Sequence, residues 1–143
     1  MLAPLLTRGR LAGIESNAAA RERAAKVFKE AFSSFKADFR DAVVSKIPFY
    51  DGSFTKVLSL DQMHGWINPD KALDEINRVL APGGIFVLVW GVPVDRDTQI
   101  EGRRITLPGD VERLLKGAGF YHPQLRERVE GPLHFYQYTS QKL

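Results

Sequence analysis

The sequence predicts an α/β fold, a mostly parallel sheet with helices on both faces and a C-terminal antiparallel hairpin. Three observations predict it. Short apolar runs at Leu11-Ala12-Gly13-Ile14, Val57-Leu58-Ser59-Leu60 and Ile85-Phe86-Val87-Leu88-Val89-Trp90 alternate with stretches whose apolar residues recur every three or four positions. Strands separated by helices imply parallel pairing, because the chain must cross over to return. Two segments of alternating polarity around Gly131-Pro132 then read as neighbouring antiparallel strands.

In chain order, Leu2 to Thr7 reads as the tail of a helix, with Gly9 suited to a left-handed C-cap. Leu11 to Ile14 is a buried strand that ends on Glu15. Ser16 or Asn17 can cap the next helix, because a short side-chain oxygen accepts an orphan backbone N–H. That helix runs from about Ala18 to Phe32, with Ala24, Val27, Phe28, Ala31 and Phe32 on one buried face. Phe35 to Phe39 alternates loosely as an exposed strand, and Asp41 stands just past its end.

Ile47 to Phe54 is a loop punctuated by Pro48 and Asp51-Gly52. Val57 to Leu60 is the next buried strand. Asn68 before Pro69 marks a helix start, with proline in the first turn. Along that helix Ala72, Leu73, Ile76, Val79 and Leu80 face inward, while Asp74 and Arg78 are spaced to pair outside. Pro82-Gly83-Gly84 stops it. Ile85 to Trp90 is the most apolar run and reads as a central strand covered on both faces. Thr98 to Pro108 is a surface loop. Asp110 can cap a helix holding Val111, Leu114 and Leu115, closed by Gly117-Ala118-Gly119. Leu125 to Val129 and His134 to Tyr138 form the final pair.

Composition bounds the function. The 143 residues suit a single domain, and a chain of that length buries about two-thirds of its unfolded surface. Net charge is +3, from 20 basic and 17 acidic residues, and acids sit between most of the basic pairs. That is a solvated surface rather than a nucleic-acid stripe. No cysteine is present, which excludes disulfides, thiolate metal sites and thiol nucleophiles. Three scattered histidines, His64, His122 and His134, give a metal site little support. No apolar run reaches the ~18 residues of a membrane helix. Arg8 and Arg10 without a nearby acid echo a transit peptide faintly, but folded structure explains them better, and a cytoplasmic setting is expected.

The run from Ile47-Pro48-Phe49-Tyr50-Asp51-Gly52-Ser53-Phe54 through Leu73-Asp74-Glu75-Ile76-Asn77-Arg78-Val79-Leu80-Ala81-Pro82-Gly83-Gly84 resembles the second half of a class I S-adenosylmethionine-dependent methyltransferase, of the type 11-like group. The resemblance covers residues 2 to about 140 and implies a Rossmann-like sheet, a partial methyltransferase-like domain over 1–143, and S-adenosylmethionine as cofactor. It implies an acid at the end of the second family strand for the ribose hydroxyls, here Glu15 with Ser16 beside it. It implies Asp41 for the adenine amino group, with the Ala42 backbone N–H on a ring nitrogen. Leu60-Asp61 falls where the chain passes under the cofactor toward the acceptor. His64 is a candidate general base, or else a residue that orders the loop before the next helix. No catalytic residue is otherwise implied. Phe49, Tyr50, Phe54 and Trp66 could line a pocket or belong to the core, and Phe54 reads as core. Thr55-Lys56 departs from the family pattern.

The first strand and glycine-rich loop of that family have no counterpart from Met1 onward, so the fold is expected to be truncated at its N-terminus. That strand lies between the strands ending at Glu15 and Leu60. Strands pair about 4.8 Å apart, and each buried unpaired backbone group costs about 1–3 kcal/mol. The expectation is therefore a homo-oligomer or a partner chain that fills the slot, with weakened cofactor binding. Two functions compete: methyl transfer to an unidentified acceptor, small or otherwise, and a non-catalytic methyltransferase-fold scaffold or assembly subunit. A nicotinamide-dependent dehydrogenase lacks any glycine loop or hydride-transfer residue here.

Overall fold

The computed structural model describes residues 9–31, 37–60, 63–94 and 108–143. The chain divides into two compact units, Met1–Pro48 and Phe49–Leu143. The helix tail expected at Leu2 to Thr7, the ends at Phe32 and Phe35, and the loop from Thr98 to residue 107 lie outside the described residues.

The first unit holds β1 (Leu11–Ile14), α1 (Ala18–Ala31) and β2 (Ala37–Arg40). β1 and β2 pair in parallel, from Leu11 opposite Ala37 to Ile14 opposite Arg40, with α1 as the crossover. Asn17 is the residue that caps α1: its Oδ1 accepts the Ala20 N–H at 3.0 Å. The buried stripe of α1 is narrower than its periodicity predicts. Phe28 is buried and Ala24 half-buried, but Val27 is 59% exposed. Two four-residue strands offer little sheet for a second row of side chains to cover.

The second unit contains β3 (Phe54–Leu60), a single 3₁₀ turn (Met63–Gly65), α2 (Pro69–Val79), β4 (Leu80–Pro93), α3 (Pro108–Gly117), β5 (Phe120–Glu130) and β6 (Leu133–Lys142). Its sheet has the order β3-β4-β6-β5. β3 and β4 are parallel, and β6 runs antiparallel to both β4 and β5. The parallel strands and the terminal hairpin are those the sequence predicts. β3 begins at Phe54, three residues before the expected start, through an irregularity between Phe54 and Lys56.

Alternate residues of β4, namely Phe86, Leu88 and Trp90, are fully buried, as are Ala72, Leu73, Ile76 and Val79 of α2 and Val111 and Leu115 of α3. α2 packs against β4, and α3 against β5, β6 and α2. On the other face Ile85, Val87 and Val89 are half-buried, and Leu58 and Leu60 of β3 are 40% and 52% exposed. Among the described residues, full burial of β4 is therefore one-sided. The sequence led us to expect cover on both faces.

Three local expectations change. α2 starts as predicted, with Asn68 Oδ1 accepting the Lys71 N–H at 3.0 Å and Pro69 in its first turn. It closes at Val79, ahead of Pro82, because Leu80 is already extended and opens β4. Arg78 does not take the expected Asp74. Its Nε and Nη2 bond Glu75, at 2.7 and 2.8 Å, and its Nη1 reaches Asp51 Oδ1 and the Phe49 carbonyl at 2.8 and 2.9 Å. The guanidinium thereby clamps the loop before β3 onto α2. α3 opens on Pro108, which puts Asp110 inside its first turn, where it pairs with Arg113, and not at the cap.

Candidate functional site

In the first unit the expected cofactor acids sit at the carboxyl ends of two adjacent parallel strands, where α/β folds gather ligands. Glu15 follows Ile14 directly. Its backbone N–H donates to the Arg40 carbonyl at 3.1 Å, which extends the β1–β2 ladder by one residue. The Glu15 carboxylate accepts the Asn17 N–H at 2.8 Å through Oε1. Ser16 is exposed at the bend between the strand and α1. Asp41 follows β2 directly, with its side chain 70% exposed, and Ala42 is half-buried.

One side chain connects these groups, and sequence reasoning missed it. Arg21, in the first turn of α1, donates from Nη1 to the Glu15 carbonyl at 2.7 Å. Its Nη2 stands 3.5 Å from Asp41 Oδ2. The six-residue spacing from Glu15 to Arg21 carries no motif, although it follows once Asn17 is taken as the helix cap. Gly13 is a second such residue. It lies opposite Phe39, whose ring sits over it and meets Phe28 edge-on at 6.1 Å.

In the second unit Leu60 is the last residue of β3 and half-exposed. Asp61 lies outside the described residues. The turn that follows buries Met63 and leaves His64 half-buried. His64 Nε2 approaches the Gly91 carbonyl at 3.4 Å, near the carboxyl end of β4. So β3, the turn and β4 bring Leu60 and His64 to the same rim.

Behind that rim stands an aromatic layer. Trp90 stacks on Tyr136 and Tyr138, with ring centroids 5.2 and 6.1 Å apart. His134 stacks on Tyr136 at 4.3 Å and its Nε2 lies 3.0 Å from Glu127 Oε2. Burial raises the Tyr138 pKa, helped by the negative charge of Glu112, and the phenol donates to the Pro108 carbonyl at 3.0 Å. Among the aromatic residues weighed from sequence, Phe49 and Phe54 pack edge-on at 5.0 Å while Tyr50 is 89% exposed. Trp66 is half-buried.

Among the described residues no group of three or more His, Cys, Asp or Glu side chains is placed to hold a metal ion. No helix among them is long and apolar enough to cross a membrane.

Comparison with known proteins identifies the family. A family model described as a methyltransferase domain matches residues 1–88. An uncharacterized chloroplastic methyltransferase of Arabidopsis thaliana is 44% identical over 46 residues, which are 32% of this chain and 13% of that protein. An uncharacterized methyltransferase of Mycobacterium tuberculosis is 36% identical over 76 residues, covering 44% of this chain and 31% of that protein. The matches thus span less than a third of either relative. The crystal structure of a SAM-dependent methyltransferase from Aquifex aeolicus superposes with a TM-score of 0.77 at 16% identity, over 97% of this chain and 72% of that one.

Proposed function

The chain belongs to the methyltransferase domain family, and on that premise we propose that it serves methyl transfer from S-adenosylmethionine to an acceptor, most simply a small molecule. The cofactor, when bound, supplies a methyl group activated on a sulfonium sulfur. In this reading Glu15 holds the ribose hydroxyls, with Ser16 at the bend beside it. Asp41 accepts from the adenine amino group and the Ala42 N–H serves a ring nitrogen. By the family pattern, Leu60 and Asp61 correspond in sequence to the stretch that leads toward the acceptor. His64 either takes a proton from the acceptor or orders the turn after β3.

The observation that carries the reading is the pair of acids at the ends of β1 and β2. The residues present fit the group. One oxygen of Glu15 is committed to Asn17, and the other has no hydrogen-bond partner among the described residues. Asp41 is open to solvent along most of its side chain. A fixed carboxylate suits a ribose diol, because charge-assisted hydrogen bonds are short and strong.

Calorimetric titration with S-adenosylhomocysteine tests it. We expect saturable binding that weakens by at least about tenfold in Glu15→Ala, since hydrogen bonds to a charged group contribute about 1.5–3 kcal/mol. Absence of heat at millimolar ligand would sink the reading. The same proposal includes self-association or a partner strand along β3, supported by its outer position in the sheet and by the exposure of Leu58 and Leu60. Light scattering checks it, and a stable monomer over a wide concentration range would count against it.

A further inference from the structure

Resting on the cofactor reading above, we propose that Arg21 is a positioning residue that sets how the nucleoside is read. It does so by holding the two acid-bearing strand ends at a fixed spacing and turning Asp41 toward the base.

The guanidinium is fixed at both ends of its reach. One nitrogen donates to the carbonyl of Glu15, at the end of β1, and the other faces the carboxylate of Asp41, beyond the end of β2. Its own backbone is pinned as well, because the Arg21 N–H donates to the Asn17 carbonyl at 2.9 Å in the first turn of α1. The arginine side chain is only 23% exposed, so its fork is held in place rather than free in water. A planar guanidinium with fixed donors can define the spacing of two oxygen groups in a way that a flexible ammonium cannot.

The consequence is selective. The ladder bond from the Glu15 N–H to the Arg40 carbonyl already fixes the backbone of the ribose side. Asp41 has no such support, and among the described residues Arg21 is the cation that meets its carboxylate. With Oδ2 turned toward Arg21, Oδ1 is the oxygen left for an exocyclic amino donor. Loss of Arg21 should therefore damage recognition of the base more than recognition of the sugar.

The test compares S-adenosylhomocysteine with S-inosylhomocysteine, in which the 6-amino donor is replaced by a carbonyl. Titrations are run on the unaltered chain, Arg21→Ala, Arg21→Lys, Asp41→Ala and the Arg21→Ala/Asp41→Ala double variant. We expect the unaltered chain to prefer the adenosyl ligand. Arg21→Ala should lose about tenfold in adenosyl affinity and little for the inosyl ligand, so that the preference collapses, within the range shown by coupled neighbours. Arg21→Lys should retain part of the preference, which keeps the test informative if the alanine variant folds poorly. In the Asp41→Ala background removal of Arg21 should have little further effect.

A purely structural arginine would lower both affinities together and leave the preference intact, and that result overturns the inference. So does an equal loss from Arg21→Ala with and without Asp41. Both results leave the cofactor reading standing. If the unaltered chain binds neither ligand, the cofactor reading falls and the inference falls with it.

Discussion

The Phe39 ring occupies the space that a side chain on Gly13 would need. A Cβ built on Gly13 would stand 2.7 Å from Phe39 Cδ1 and 2.8 Å from Cε1, closer than packed carbon atoms approach. The two residues face each other across β1 and β2, two positions before Glu15 and Asp41 respectively. Gly13→Ala must push the ring away from Phe28 or part the strands. We expect a loss of about 1–3 kcal/mol, the usual cost of overpacking, measured by urea unfolding. A variant as stable as the parent would show that Phe39 swings aside freely.

Lys142 closes α2 from the far end of the sequence. Its Nζ donates to the Asn77 and Leu80 carbonyls, both at 2.8 Å. Carbonyls at the end of a helix lack intrahelical partners, and a cation there also meets the negative end of the helix dipole. Lys142→Met keeps the aliphatic stem and removes the charge. It should cost about 1–3 kcal/mol and speed amide exchange in the last turn of α2. Unchanged exchange would assign those carbonyls to solvent instead.

Arg78 distinguishes a clamp from an ordinary surface ion pair. The hydrogen bonds it donates to Glu75 and then Asp51 raise its pKa further above the usual arginine range, so it stays charged at every accessible pH. Asp51 is 81% exposed and Glu75 only 20%. Exposed pairs contribute roughly 0–1 kcal/mol. Asp51→Asn should therefore cost less than about 1 kcal/mol, and Arg78→Ala more, because the Phe49 carbonyl also loses its donor. Chemical denaturation in low and high salt checks this. If both variants lose the same stability, and salt erases it, the loop is not clamped.

The sequence made the elements legible where punctuation and periodicity agreed. Asn68-Pro69 fixed the start of α2, and of the five apolar residues read as inward four form its buried face, while the fifth, Leu80, is buried at the start of β4. The hairpin at Gly131 was readable because turn and alternation point the same way. Pairings were less legible. Asp74 and Glu75 are both spaced to reach Arg78, and only the position of the Phe49–Asp51 loop decides that Glu75 wins. Val27 obeyed the helical period but met no sheet. At the site, Glu15 and Asp41 were visible as acids at strand ends. Arg21 was not, since its role depends on two strands coming side by side through a crossover that no local pattern encodes.

Tyr138 gives the alkaline limb of stability. Its side chain is 1% exposed, and burial, then the charge of Glu112, raises its pKa above the ordinary phenol value. The folded state thus holds the phenolic proton more tightly than the unfolded chain. Below about pH 10, the unfolded value, both states are protonated and stability does not depend on this group. As pH climbs past that point the unfolded chain releases the proton first, so stability falls until the folded pKa is passed. Tyr138→Phe removes both the titration and the hydrogen bond to the Pro108 carbonyl. At neutral pH the variant should be less stable by about 1 kcal/mol. Above about pH 10 the parent should lose stability faster than the variant, and the gap should close. Urea midpoints for both proteins from neutral to alkaline pH read this directly, since the two chains differ only at this side chain. Parallel curves would mean that the Tyr138 proton is no more tightly held in the folded chain than out of it.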